Sequence, residues 1–158
     1  MNGGTELILA VTIGFVAGLR SFTAPAAVSW AAHLGWLHLQ NSSLHFMGTT
    51  AAVIIFSTLA AAEYVADILP NTPARTRPGP LAGRILLGGL SGAALCVSAN
   101  RSLFLGAVLG GVGGVIGTFA GYEARRRLVS ALKVKDVGVA ILEDLFALGL
   151  AYLIVSAS

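Results

Sequence analysis

Apolar residues in this chain fall in long runs broken by short polar stretches, a pattern scaled to a lipid bilayer rather than to the surface of a soluble core. A hydrocarbon layer of roughly 30 Å takes about 20 mostly apolar residues as a helix, and about 17 at the least. Five runs meet or approach that length: Thr5 to Leu19, His45 to Leu69, Pro80 to Ala99, Leu103 to Ala124 and Val137 to Val155. Pro70 and Asn71 close the second. The pattern predicts an all-α, polytopic membrane protein with about five glycine-rich transmembrane helices, forming one transmembrane domain over residues 1–158. The first run has no Lys or Arg before it, and the chain stays apolar beyond Ala24, Pro25 and Ala26, so it reads as a retained helix rather than a secretory signal.

Ser21 to Gln40 is too interrupted to make a span of its own. Ser21 or Thr23 can cap a new helix, with Pro25 accommodated in its first turn. Trp30, Trp36, His33 and His38 are residue types suited to the headgroup level. An interfacial or re-entrant helix is predicted here, with an oblique continuation of the first helix as the alternative.

Composition sharpens the membrane reading. Charged residues make up 11% of the chain and hydrophobic ones 56%, whereas a soluble domain carries about 25% charged residues. The net charge of +3 would suit nucleic acid if it formed a groove, but the basic residues gather at the ends of apolar runs. That distribution fits positive-inside topology and anionic headgroups, so membrane lipids are the expected partners and nucleic acid is not. Five alternating spans put Arg75, Arg77, Arg84, Arg125, Arg126, Arg127, Lys133 and Lys135 on one side, and Arg20 and Arg101 on the other. The bias predicts a cytoplasmic amino terminus and an external carboxyl terminus. Cys96 has no partner for an intrachain disulfide.

Twenty residues are glycine, and many lie inside the runs. Spacings of four, as in Gly14 to Gly18, Gly106 to Gly110 and Gly110 to Gly114, expose bare backbone on one helix face. Packing alone explains them; the sharper alternative is a bent or broken helix around a polar path. A short inverted two-helix repeat would support the latter. It relates Gly14, Gly18 and Arg20 to Gly117, Gly121 and Glu123.

Ionisable residues within spans cost at least about 2.5 kcal/mol each, so each needs a reason. Glu63 and Asp67 are four apart and share a helix face. Two carboxylates near a helix carboxyl end also oppose its dipole. Glu143 and Asp144 enter the last span to a similar depth, and Arg84 enters the third from the same side. These residues predict a polar cluster in the cytoplasmic half that lines an ion or solute pathway, or else a set of ion pairs that holds the helices in register. Arg20 either snorkels to the outer headgroups or closes the outer end of a pathway. Arg75, Arg77, Arg125, Arg126 and Arg127 are expected at lipid headgroups or phosphate.

His33, His38 and His45 do not have zinc spacing, and no metal or cofactor is expected. Neither a phosphate-binding glycine loop nor HExxH or GxSxG occurs, so the sequence points to no enzyme activity.

Three stretches, GLRSFTAPAAVSWAA at 18–32, AEYVADILPNTPARTRPGPLAGR at 62–84 and KDVGVAILED at 135–144, resemble a family of small bacterial multi-pass membrane proteins catalogued as a domain of unknown function. The resemblance covers nearly the whole chain and implies a bacterial inner-membrane location, with no substrate or catalytic residue to carry over. Together the residues lead to the expectation of a small homo-oligomeric transporter or channel for an ion or small polar solute. A non-transporting scaffold or lipid-binding protein is the alternative.

Overall fold

The computed structural model describes residues 4–68, 76–132 and 136–158, and the secondary structure of these residues is helical. Six α-helices follow one another: α1 Thr5–Leu19, α2 Thr23–His33, α3 Thr50–Ile68, α4 Pro78–Ser98, α5 Leu103–Leu132 and α6 Asp136–Ser156, with a 3₁₀ turn His45–Gly48 before α3. Helices α3 to α6 are long and apolar enough to cross a membrane, and α1 is a shorter apolar helix. The protein is a polytopic membrane protein, as its apolar runs predict.

The boundaries shift where local chemistry differs from hydropathy. Helix α3 starts at Thr50 rather than His45, because His45–Gly48 forms the tighter turn. Pro78 opens α4 in its first turn, where a missing N–H costs nothing. Helix α5 continues well past Ala124 to Leu132, since Tyr122 to Leu132 contains no Pro or Gly and Glu123 ties to Arg126 and Arg127 one turn on.

Helices consecutive in the chain alternate in direction. Helix α2 runs antiparallel to α3, with Thr23 at Tyr64, Trp30 at Ser57 and His33 at Gly48. Helix α6 pairs Asp144 with Arg20 at one level and Tyr152 with Trp36 at another. One end of the bundle, here the arginine end, holds Arg77, Arg126 and Arg127; the far end holds Asn100 and Arg101 between α4 and α5. Glu6 and Ser158 line a single pocket at the far end. The two described chain ends therefore lie at that end of the bundle. The reason is α2. Its eleven residues pack into the bundle, with Ala24, Val28 and Ser29 fully buried, and the α1–α2 hairpin adds a reversal that a count of long apolar runs passes over.

Bare backbone holds the centre together. Helices α1, α4 and α5 pack most extensively, meeting where Gly14, Gly88 and Gly110 approach one another so closely that a Cβ on any of them would overlap backbone. The glycine faces are thus spent inside the chain. The two stretches that the inverted repeat relates, in α1 and α5, run parallel and in contact, Gly14 against Gly110 and Gly18 against Gly114, so they are packing partners.

This geometry separates two glycine substitutions. Gly110→Ala should destabilise the protein by about 1–3 kcal/mol, as overpacking does, whereas Gly149→Ala, with nothing near its added carbon, should be neutral or slightly stabilising. Thermal unfolding in detergent measures the difference, and equal melting of the two variants would contradict the close approach.

Candidate functional site

The site begins with a helix that cannot continue. A helix running through Arg20 would place the Pro25 ring against the Ser21 carbonyl and leave that carbonyl without its N–H partner. The chain breaks instead: Arg20 is extended, at φ −138 and ψ 111, and α2 restarts at Thr23 with Pro25 in its first turn. The break lies inside the bundle, where Arg20 is 1% exposed and Thr23 2%. The carboxyl end of α1 and the amino end of α2 thus meet away from bulk water.

Opposite charges answer both ends. Arg84 of α4 donates from Nη1 to the carbonyls of Gly18 and Leu19, at 2.5 and 3.3 Å. Glu63 of α3 accepts from the N–H groups of Ser21 and Phe22, at 2.9 and 3.0 Å. A cation at a helix carboxyl end and an anion at an amino end both complement the dipoles. Arg84 and Glu63 also approach each other at 3.7 Å. Thr23 Oγ1 and Tyr64 Oη share a hydrogen bond of 2.7 Å beside them.

The remaining charges extend this core into a network across all the long helices. Arg20 Nη2 donates to Asp67 Oδ2 at 2.9 Å and also contacts Asp144 Oδ1, and its guanidinium stacks over the Tyr64 ring, 5.6 Å from the centroid. Arg125 bonds Asp67 at 2.6 Å and faces Glu143 at 3.9 Å. Among the described residues, three arginines, 20, 84 and 125, thus meet four carboxylates, 63, 67, 143 and 144. At 1.5 Å per residue, Arg84 and Asp144 lie roughly 9 and 12 Å from the starts of their helices.

The six sequence-predicted pathway residues, Glu63, Asp67, Glu143, Asp144, Arg84 and Arg20, therefore converge, and two placements change. Arg20 joins the carboxylates instead of the opposite face, because the hairpin carries it to the arginine end. Arg125, grouped by sequence with Arg126 and Arg127 at headgroups, points into the bundle with its side chain 16% exposed. Arg126 and Arg127 stay on the outer face, paired with Glu123. Arg77 is exposed just before α4, and Arg75 lies outside the described residues. Tyr64 was missed, although it sits three residues before Asp67 on the same turn of helix. Among the described residues no three His, Cys, Asp or Glu side chains form a group able to hold a metal ion.

Two clefts flank α6 and reach towards the network. One, of about 280 Å³ between α1, α5 and α6, is walled by Leu128, Leu142 and Phe146 and includes Arg125 and Glu143. The other, of about 440 Å³ between α2, α3 and α6, is lined by Trp30, Tyr152, Thr23 and Tyr64.

A family model described as a domain of unknown function (DUF4126) matches residues 7–157. Among curated proteins and solved structures nothing matches the chain.

Removing Arg20 leaves Asp144 without its guanidinium in a nearly dry site, so Arg20→Ala should cost about 3–5 kcal/mol. Arg101→Ala, at an exposed turn, should change stability by less than about 0.5 kcal/mol. Adding Asp144→Asn to the Arg20 variant should recover part of the loss in a double-mutant cycle read by thermal unfolding; additive losses would show that the pair is not coupled.

Proposed function

The chain belongs to the DUF4126 family, a domain of unknown function, and we propose on its own geometry that it is a small membrane transporter or channel for an ion or small polar solute. The observation that carries this reading is the interrupted α1–α2 pair, whose two helix ends face a buried charge network in the middle of an apolar bundle. Discontinuous helices at a polar centre are how membrane proteins place backbone dipoles against a solute or ion. The gathering of four carboxylates inside an apolar bundle favours a proton or a small cation as the species that moves. Glu63, Asp67, Glu143 and Asp144 would take it up, Arg20, Arg84 and Arg125 would hold the acids apart, and the clefts beside α6 would supply access.

The pairing of each of these arginines with a carboxylate favours a second reading, a membrane scaffold whose ion pairs set helix register. Flux separates the two. In proteoliposomes under an imposed potassium diffusion potential, the protein should raise proton or sodium entry above that of empty vesicles, and Asp144→Asn should lower it about tenfold. No flux above empty vesicles would leave the scaffold, and undiminished flux in the variant would remove the network from the path.

The same reading orients the molecule. Arg77, Arg126 and Arg127 mark the arginine end against Arg101 at the far end, so the arginine end faces the cytoplasm of a bacterial inner membrane, with headgroups at these three side chains. Because the glycine faces are consumed within the chain, homo-oligomer formation rests on the apolar outer faces of α3, α5 and α6. Alkaline phosphatase fused after Ser158 should be active, and a fluorescent protein that matures only in the cytoplasm should stay dark there; the opposite result would invert the topology.

A further inference from the structure

At the far end of the bundle, some 20 Å along α1 from the network, lies a second polar site that the transport reading does not use. Glu6 stands on the first turn of α1, in line with Ala10, Ile13 and Ala17, the stripe that α1 turns into the core. Its side chain is therefore drawn inward, and it is 8% exposed. Oε2 is buried with no hydrogen-bond partner, and no guanidinium or ammonium among the described residues pairs with Glu6. A buried carboxylate oxygen in that state is costly unless a ligand answers it.

Glu6 lines a pocket of about 230 Å³ with Trp36, His38, Leu95, Ser98 and Asn100. The walls are well defined: Ser98 Oγ accepts from the His38 backbone N–H at 2.9 Å, Trp36 packs edge-on against Tyr152, and Asn100 holds a left-handed turn at φ 56. The carboxyl end of α4 opens here with partial negative charge and the amino end of α1, which carries Glu6, with partial positive charge, so the Glu6 carboxylate sets the field. A cation fits this field. The donor set is wrong for calcium, which takes six to eight oxygens, and no group of three metal-ligating side chains forms among the described residues. A carboxylate in a pocket shared with an indole ring and a leucine suits an organic cation, which offers N–H donors, charge and an apolar body together.

We propose that this pocket binds an alkylammonium cation, its N–H groups directed to Glu6 Oε2 and its alkyl part lying against Trp36 and Leu95. The site stands independently of transport, because it is read as equilibrium binding. Isothermal titration of the full chain in detergent with methylammonium chloride, against sodium chloride at equal ionic strength, should give saturable heat for methylammonium alone. Glu6→Gln keeps the side chain's shape and should weaken binding at least about tenfold, the loss of a charge-assisted hydrogen bond. Trp36→Leu, at a half-exposed position, should weaken it about fivefold while leaving the carboxylate in place. Absence of saturable heat, equal affinity in Glu6→Gln, or equal affinity for sodium would each overturn the assignment. Methylammonium binding that survives in a protein without ion flux would sink the transport reading alone.

Discussion

Breaking a helix inside an apolar bundle strands backbone groups: the last carbonyls of one segment and the first N–H groups of the next lose their intrahelical partners. In lipid no water can replace them. Everything at the arginine end of this protein follows from how that demand is met at Arg20 to Phe22. Arg84 supplies N–H donors to Gly18 and Leu19, and Glu63 supplies acceptors to Ser21 and Phe22. Their charges also have the signs that the two dipole ends favour.

That solution resolves an apparent conflict in α3. Glu63 and Asp67 both lie near the carboxyl end of their own helix, where the dipole disfavours them. Glu63 is compensated by the amino end of a different helix, α2, and Asp67 by Arg20 and Arg125. The penalty is local and the remedy tertiary. Because partners come from α1, α3, α4, α5 and α6, the network sets the relative register of the helices, and its stability depends on leaving no member unpaired.

Close glycine contacts and charged contacts divide the work of assembly. Backbone against backbone locks α1, α4 and α5, a geometry open only to residues without a side chain at the crossing. Helix α6 is different: it presents Leu142, Leu145 and Phe146 outward and is flanked by clefts on both sides. Its ties to the rest near the arginine end run through Asp144 and Glu143. Towards the far end, Ala147, Ala151, Ile154 and Val155 of α6 join the apolar core.

Long apolar runs, sparse charge and intramembrane acids were enough to read the membrane class, the long helices and the participation of Glu63, Asp67, Glu143, Asp144 and Arg84, because lipid penalises each charge whatever the fold. Pro25 likewise marks a helix start in the sequence itself. What composition could not carry was direction. The short α2 has too few residues to register as a span, yet it reverses the chain, brings the described chain ends to one end and moves Arg20 from the sparse side into the carboxylates. Arg125 looks like its neighbours Arg126 and Arg127 in sequence, and only the rotation of about 100° per residue around α5 sends it inward while they face outward. Glu6 was silent for the same reason: at the start of an apolar run it reads as a surface acid, and only the packing of α1 decides that it is buried.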